Sequence, residues 1–224
     1  MSVLIYKDGY TAGVAAATLF AASVMEHSHS SIGFTYDSIL EPVFSSLRSM
    51  LANGLFTLQN ARIYQLCEFV PEAEGGTSIR QLLEEALLSE SAPIAQDRYV
   101  IPYAEQKNWA QICSDFEDDI LAHGGMDLAL LALRPDGSLL YNSAGEELAP
   151  VTHVEMIGEE KVVSAGIATL MQAKKLIVVA IGADCAESVA YTVRGGVSDR
   201  LPASYLLLHH NATFILDEAA ASLL

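Results

Sequence analysis

Six histidines and three cysteines are the residues of this chain best suited to acid–base, nucleophilic or metal chemistry. Cys67, Cys113 and Cys185 are odd in number and show no CxxC spacing, which gives neither a disulfide framework nor a zinc site and fits a reducing compartment. His27 and His29 are two apart beside Ser28, Ser30 and Ser31, a spacing that does not put two ligands on one helical face, so a surface loop is expected. His209 and His210 are adjacent and must point to opposite faces of a strand, leaving at most one to line a site; His209 reads as structural. His123 and His153 have no motif around them. No GxGxxG, Walker loop, HExxH or GxSxG occurs, so nucleotide, zinc-protease and hydrolase-elbow chemistry have no support, and neither cofactor nor metal is expected. Trp109, Ile112 and Phe116 repeat at helical spacing as a buried stripe, and Glu117, Asp118 and Asp119 read as a solvated face.

The elements that would position such residues alternate between short β-branched or aromatic runs and segments of helical period, the pattern of a mostly parallel, doubly wound α/β sheet covered by helices. Strands are predicted at Val3–Tyr6, Ser31–Tyr36, Arg62–Val70, Arg98–Tyr103, Asp127–Leu133, Ser138–Tyr141, Lys175–Ile181, Tyr205–His209 and Thr213–Leu216. Helices are predicted at Thr11–His27, Ser38–Asn53, Ile79–Ser89, Glu105–Ala122, Ala165–Gln172 and Ala186–Arg194. Asp184 and Glu187 give the last helix a capping-box spacing, and Gly195-Gly196 suits a left-handed C-terminal cap. The run Asp127–Leu133 does not alternate, as expected of a central strand buried on both faces. Ligands bind beyond the carboxyl ends of such strands at a topological switch point, so the segment after Leu133 is where a site is expected.

Composition bounds the partners. Twelve basic and 28 acidic side chains give 12 − 28 = −16, which repels phosphate backbones and anionic lipid. The chain is 51% hydrophobic and only 18% charged, with mean hydropathy +0.30, enough apolar side chain for a packed core. Its longest apolar run, Val14–Met25, is short of the ~20 residues that cross a bilayer. Lys7 is followed by Asp8 and the run lies behind a strand-like segment, which does not suit a secretion signal. A cytoplasmic protein with one domain over residues 1–224 is expected, Glu72–Ser78 being only a polar loop.

The segment Gly124-Gly-Met-Asp-Leu-Ala-Leu-Leu-Ala-Leu-Arg-Pro-Asp-Gly-Ser-Leu-Leu-Tyr-Asn-Ser-Ala-Gly145 resembles the signature of the glucosamine-6-phosphate deaminase family, which also holds galactosamine-6-phosphate isomerases and, more distantly, 6-phosphogluconolactonases. The family pattern is a GG-[IL]-D strand, G-x-G-x-D-G-H, and F-N-E-P-G. Gln65-Leu-Cys-Glu-Phe69 lies at the place of N-M-D-E-[YW], and Ala165–Gly182 resembles the family's T-[VL]-G-[VL]-x-T-[IL]-[ML]-x-A-[RK] helix and following strand. Arg194-Gly-Gly, the stretch Leu201-Pro-Ala-Ser and Asp217-Glu-Ala-Ala220 match the C-terminal end in order. The resemblance implies a three-layer Rossmann-like domain and chemistry on an amino-sugar phosphate.

At the positions the resemblance makes catalytic, the residue types differ. Cys67 stands at the proton-transferring Asp of N-M-D-E, with Glu68 beside it; Ser138 stands at the ring-opening His, and Ser143 at the acidic partner of F-N-E-P. Asp136, Gly137 and Asn142 keep the family types. On the phosphate side, Gly33–Ser38 replaces the T-G-S-T-P loop; Thr35 and Ser38 remain as donors, while Asp37 reads as the N-cap of the next helix. Cys185 falls within Gly182-Ala-Asp-Cys-Ala, at the place of a G-x-x-K-A whose Lys meets phosphate, and Glu155–Val163 shortens a segment that carries an Arg to the ligand. Losing two cations at about 1.5–3 kcal/mol each weakens phosphate binding about a hundredfold or more. Cys67 and Cys185 read as small core residues rather than reactive thiols. Three functions stay open: a sugar-phosphate isomerase or deaminase with its usual reaction lost or impaired, a non-catalytic binder of a sugar or related metabolite, and an oligomer-forming subunit without ligand. The expected partner is a phosphorylated sugar or related small molecule, not nucleic acid or membrane, and homo-oligomerisation is open.

Overall fold

A computed structural model describes residues 1–70, 78–90, 94–102, 108–143 and 148–224. Its strands are β1 (Ser2–Tyr6), β2 (Ser31–Phe34), β3 (Arg62–Gln65), β4 (Cys67–Val70), β5 (Tyr99–Val100), β6 (Leu128–Ala132), β7 (His153–Ile157), β8 (Glu160–Ser164), β9 (Leu176–Ala180) and β10 (Ala212–Asp217). Its α-helices are α1 (Gly9–Glu26), α2 (Glu41–Ala52), α3 (Ile79–Ala86), α4 (Trp109–Ala122), α5 (Ile167–Met171) and α6 (Ala186–Arg194). Seven strands form a parallel sheet in the order β1-β10-β9-β6-β2-β3-β5. β6 is the middle strand, and all five residues of both β6 and β9 are buried, so helices cover both faces and the domain has three layers. The apolar runs that predict these strands therefore mark the middle of the core.

The chain reverses its direction of travel across this sheet between β2 and β6. After β2 it moves outward through β3 to β5, and after β6 it moves the other way through β9 to β10. The crevice at the carboxyl ends of β2 and β6 is thus the switch point at which an open α/β sheet binds ligands.

Helix α1 begins with a reciprocal cap: Asp8 Oδ1 accepts from the Thr11 amide at 2.8 Å, and the Asp8 amide donates to Thr11 Oγ1 at 3.3 Å. It packs on α2 where Gly13 approaches Pro42, so closely that a Cβ at Gly13 would lie 2.6 Å from Pro42 Cβ. No helix among the described residues is long and apolar enough to cross a membrane.

Several local expectations are corrected. Arg62–Val70 is not one strand: it breaks at Leu66, sending β3 into the large sheet and β4 into a three-stranded antiparallel sheet β4-β8-β7. The shortened stretch Glu155–Val163 forms most of the β7–β8 hairpin, with Gly158 at φ +63 in its tight turn. Ser138–Tyr141 is a turn closed by an isolated bridge between Leu139 and Asn142, and Pro202–Leu208 is a 3₁₀ helix where a strand at Tyr205–His209 was expected. Both misreadings follow from short apolar runs, whose period does not separate strand from turn. The capping box at Asp184 is absent: a 3₁₀ turn at Ala183–Cys185 leads into α6, and Gly195 is extended at φ −77 rather than left-handed. Of the three acids expected on a solvated face, Asp118 is exposed, while Glu117 and Asp119 are half-buried and engaged. Glu117 accepts from Thr152 and Thr169, and Asp119 pairs with Arg62. The loop prediction at 72–77, Tyr103, and the predicted helical residues 105–107 lie outside the described residues.

Candidate functional site

The switch-point crevice gathers the ends of four strands. After β2 come Thr35 and Asp37, after β3 comes Cys67, after β6 comes Arg134, and after β9 come Gly182 and Cys185. Thr35 and Cys67 are both buried, and Thr35 Oγ1 lies 3.0 Å from Cys67 Sγ. Burial pushes the Cys67 thiol up to about 12, with the carboxylates of Glu68 and Asp37 adding to the effect and Thr35 and Arg134 opposing it. A group that holds its proton this firmly is neither a base nor a nucleophile near neutrality. Cys185 is similar: buried, with Sγ 3.6 Å from the carbonyls of Leu133 and Ile181 and its thiol pushed up to about 11, burial first and Asp184 and Asp217 after it.

Glu68 is buried and fully engaged. Its carboxylate accepts from the amides of Phe69, Ile79 and Arg80 at 2.8, 2.8 and 2.9 Å, from Gln65 Nε2 at 2.8 Å, and from Ser78 Oγ at 3.3 Å. It ties α3 to the β3–β4 break.

The loop after β6 is a compact turn. Asp136 is exposed, and its Oδ1 accepts from the Ser138 amide at 2.9 Å and from Ser138 Oγ at 2.6 Å. Gly137 has φ +78 and packs against Leu201, where a Cβ would collide, so two separate constraints require glycine. Asn142 is buried; its Nδ2 donates to the carbonyls of Leu139 and Ala165, while Oδ1 has no partner among the described residues. Ser143 follows it, half-buried, and Ser38 is exposed. Thr35, Cys67 and Cys185 are thus buried around the crevice, whereas Ser138 faces its own turn and Glu68 faces α3.

Sequence reasoning missed Arg134. Its Nε donates to Asp37 Oδ2 at 2.8 Å, its Nη1 donates to the Leu140 carbonyl at 2.7 Å, and its guanidinium carbon sits 4.9 Å from the Tyr141 ring centre. Leu140, the accepting residue, has φ +56, a left-handed conformation unusual for a non-glycine. Asp37 caps the turn after β2 as predicted, through Oδ1 and the Ile39 amide at 3.0 Å, and also bridges to Arg134 with its other oxygen. The available signal was a lone cation directly after a wholly apolar strand in a chain poor in cations; its partner, 97 residues away, leaves no local trace. A cleft of about 580 Å³ between α4 and β7, lined by Trp109, Cys113, Glu117, Thr152 and His153 among others, shares no residue with this crevice.

No family model matches the chain. Curated glucosamine-6-phosphate deaminases from Streptomyces avermitilis and Halothermothrix orenii are each 30% identical to it, the first over 99% of this chain and 92% of its own length, the second over 100% of both. Among solved structures, a monomeric glucosamine-6-phosphate deaminase has a TM-score of 0.92 at 22% identity, covering 100% of both chains. A 6-phosphogluconolactonase from Trypanosoma brucei has a TM-score of 0.80 at 19% identity, over 99% of this chain and 97% of its own. At those identities the two structures speak for the fold, while the full-length relatives carry the family assignment: this chain belongs to the glucosamine-6-phosphate deaminase family.

Proposed function

We propose that the protein is a divergent member of this family, working in cytoplasmic carbohydrate metabolism on a phosphorylated amino sugar or related sugar phosphate, with the family's usual proton transfer lost or strongly impaired. One observation carries the reading. At the positions where the resemblance calls for a base and a ring-opening acid, Cys67 holds its proton up to about pH 12 against Thr35, and Ser138 donates its hydroxyl proton to Asp136 within the same turn. General acid–base catalysis needs a group that exchanges its proton near the working pH within reach of the substrate, and neither side chain meets the first condition. All 224 residues are taken as one functional unit.

The test is steady-state turnover of glucosamine-6-phosphate and galactosamine-6-phosphate. The wild type is expected to fall far below the ~1–10³ s⁻¹ of ordinary enzymes. The triple variant Cys67→Asp, Ser138→His, Ser143→Glu is expected to exceed it by on the order of a hundredfold, the contribution of a positioned acid or base. Wild-type turnover within the ordinary range overturns the reading.

A further inference from the structure

The Arg134–Asp37 pair is built differently from the Arg62–Asp119 pair. Arg62 engages Asp119 through both Nε and Nη2, at 3.0 Å and 2.6–2.7 Å, the two-pronged arrangement that a guanidinium offers a carboxylate. Arg134 presents the same edge to Asp37 but bonds it only through Nε; Nη1 holds the Leu140 carbonyl, and the guanidinium also lies against Tyr141. The Asp37 carboxylate is turned aside because its second oxygen holds the Ile39 amide. Asp37 therefore takes only one donor of the cation's edge, and the pair lies at the sheet's switch point, between the ends of β2 and β6. The site is also sheltered: the side chains of Arg134 and Asp37 are 26% and 9% exposed.

We propose that Arg134 is an oxyanion-binding residue whose site is occupied by a tethered anion, the Asp37 carboxylate, so that a ligand's phosphate or carboxylate group is admitted only by displacing Asp37. A carboxylate held by its own backbone competes at an effective concentration in the millimolar range or above, which keeps a weak external anion out without any steric lid. Displacement would give the ligand both the Nε and Nη2 donors, one more charge-assisted contact than Asp37 makes. This inference rests on the proposal that a sugar phosphate is handled at this end of the sheet.

The experiment is calorimetric titration of the full chain with inorganic phosphate, glucosamine-6-phosphate and glucosamine. Asp37→Ser removes the charge but keeps a residue able to cap the Ile39 amide, and Asp37→Asn keeps the shape should the serine variant fold poorly. Asp37→Ser is expected to bind inorganic phosphate about tenfold or more tighter than the wild type, a gain that disappears in the Asp37→Ser, Arg134→Met double variant. Folded Asp37→Ser and Asp37→Asn proteins that bind phosphate no tighter than the wild type overturn the inference, as does a gain that survives the loss of Arg134. The two proposals fail separately. If the variant gains inorganic phosphate but takes glucosamine-6-phosphate no better, the tethered anion stands and the sugar-phosphate reading falls. If the wild type already binds glucosamine-6-phosphate as tightly as Asp37→Ser does, the tethered anion falls and that reading stands.

Discussion

Cys67 and Cys185 are held protonated by their surroundings rather than by their intrinsic chemistry. Cys67 and Cys185 are buried and pushed up to about 12 and about 11, while Cys113, on α4, is only half-buried. Burial and the neighbouring Glu117 raise the Cys113 thiol as well, but it is the least buried of the three. Native protein treated with iodoacetamide at about pH 8 is therefore expected to be modified first at Cys113, with Cys67 and Cys185 following only on unfolding; peptide mass spectrometry reads the order. Rapid labelling of Cys67 in the native state would mean that the site is more open than the Thr35 contact implies. The residue types at these positions are plain in the sequence. What no local pattern could convey is their satisfaction: Thr35 and Cys67 are 32 residues apart, and Arg134 and Asp37 are 97 apart. Chemistry made by pairs of distant residues becomes legible only when the fold brings them together.

At the scale of elements, long apolar or strongly periodic segments declare themselves and short ones do not. Leu128–Ala132 and Leu176–Ala180 are recognisable as strands because a fully buried parallel strand has no polar face to show. The hairpin of β7 and β8 escaped notice because it is half-exposed, its signal resting on a single glycine between Ile157 and Glu159. The α1–α2 contact gives a test in which two local rules oppose each other. Gly13→Ala in α1 improves helix propensity by up to about 1 kcal/mol, yet the new Cβ must enter a space bounded by Pro42 Cβ, carbonyl carbon and oxygen at 2.6–2.8 Å. Backbone does not yield as a side-chain tip does, and overpacking costs about 1–3 kcal/mol. Net destabilisation on the order of 1 kcal/mol is expected in urea unfolding; a more stable variant would show that the two helices can separate at little cost.

For the whole molecule, a formal charge of −16 sets self-repulsion against a few strongly held carboxylates. Burial disfavours the charged forms of Asp119 and Asp127, but hydrogen bonds from Arg62 and Tyr64 to the first, and from Lys174 and the Ser31 amide to the second, outweigh it and hold both below the usual carboxylate range. A carboxyl depressed on folding contributes stability above its unfolded value of 3.8 and loses it as pH falls through the folded one. Between neutrality and that point, protonation elsewhere relieves repulsion. The urea midpoint is therefore expected to rise from about pH 8 to about pH 5.5 and to fall steeply below 3.8. A midpoint that does not change below 3.8 would mean that these pairs contribute nothing net. The break at Leu66 has a different consequence. Its amide donates to the Phe34 carbonyl in the large sheet, and its carbonyl accepts from the Ala165 amide beyond the end of β8, so one residue is bonded to both bodies with Cys67 next in line. Met156 and Ile157 stand exposed near the tip of the hairpin, and the paired strands β8 and β4 form an unbroken hydrogen-bonded path from there back to Cys67.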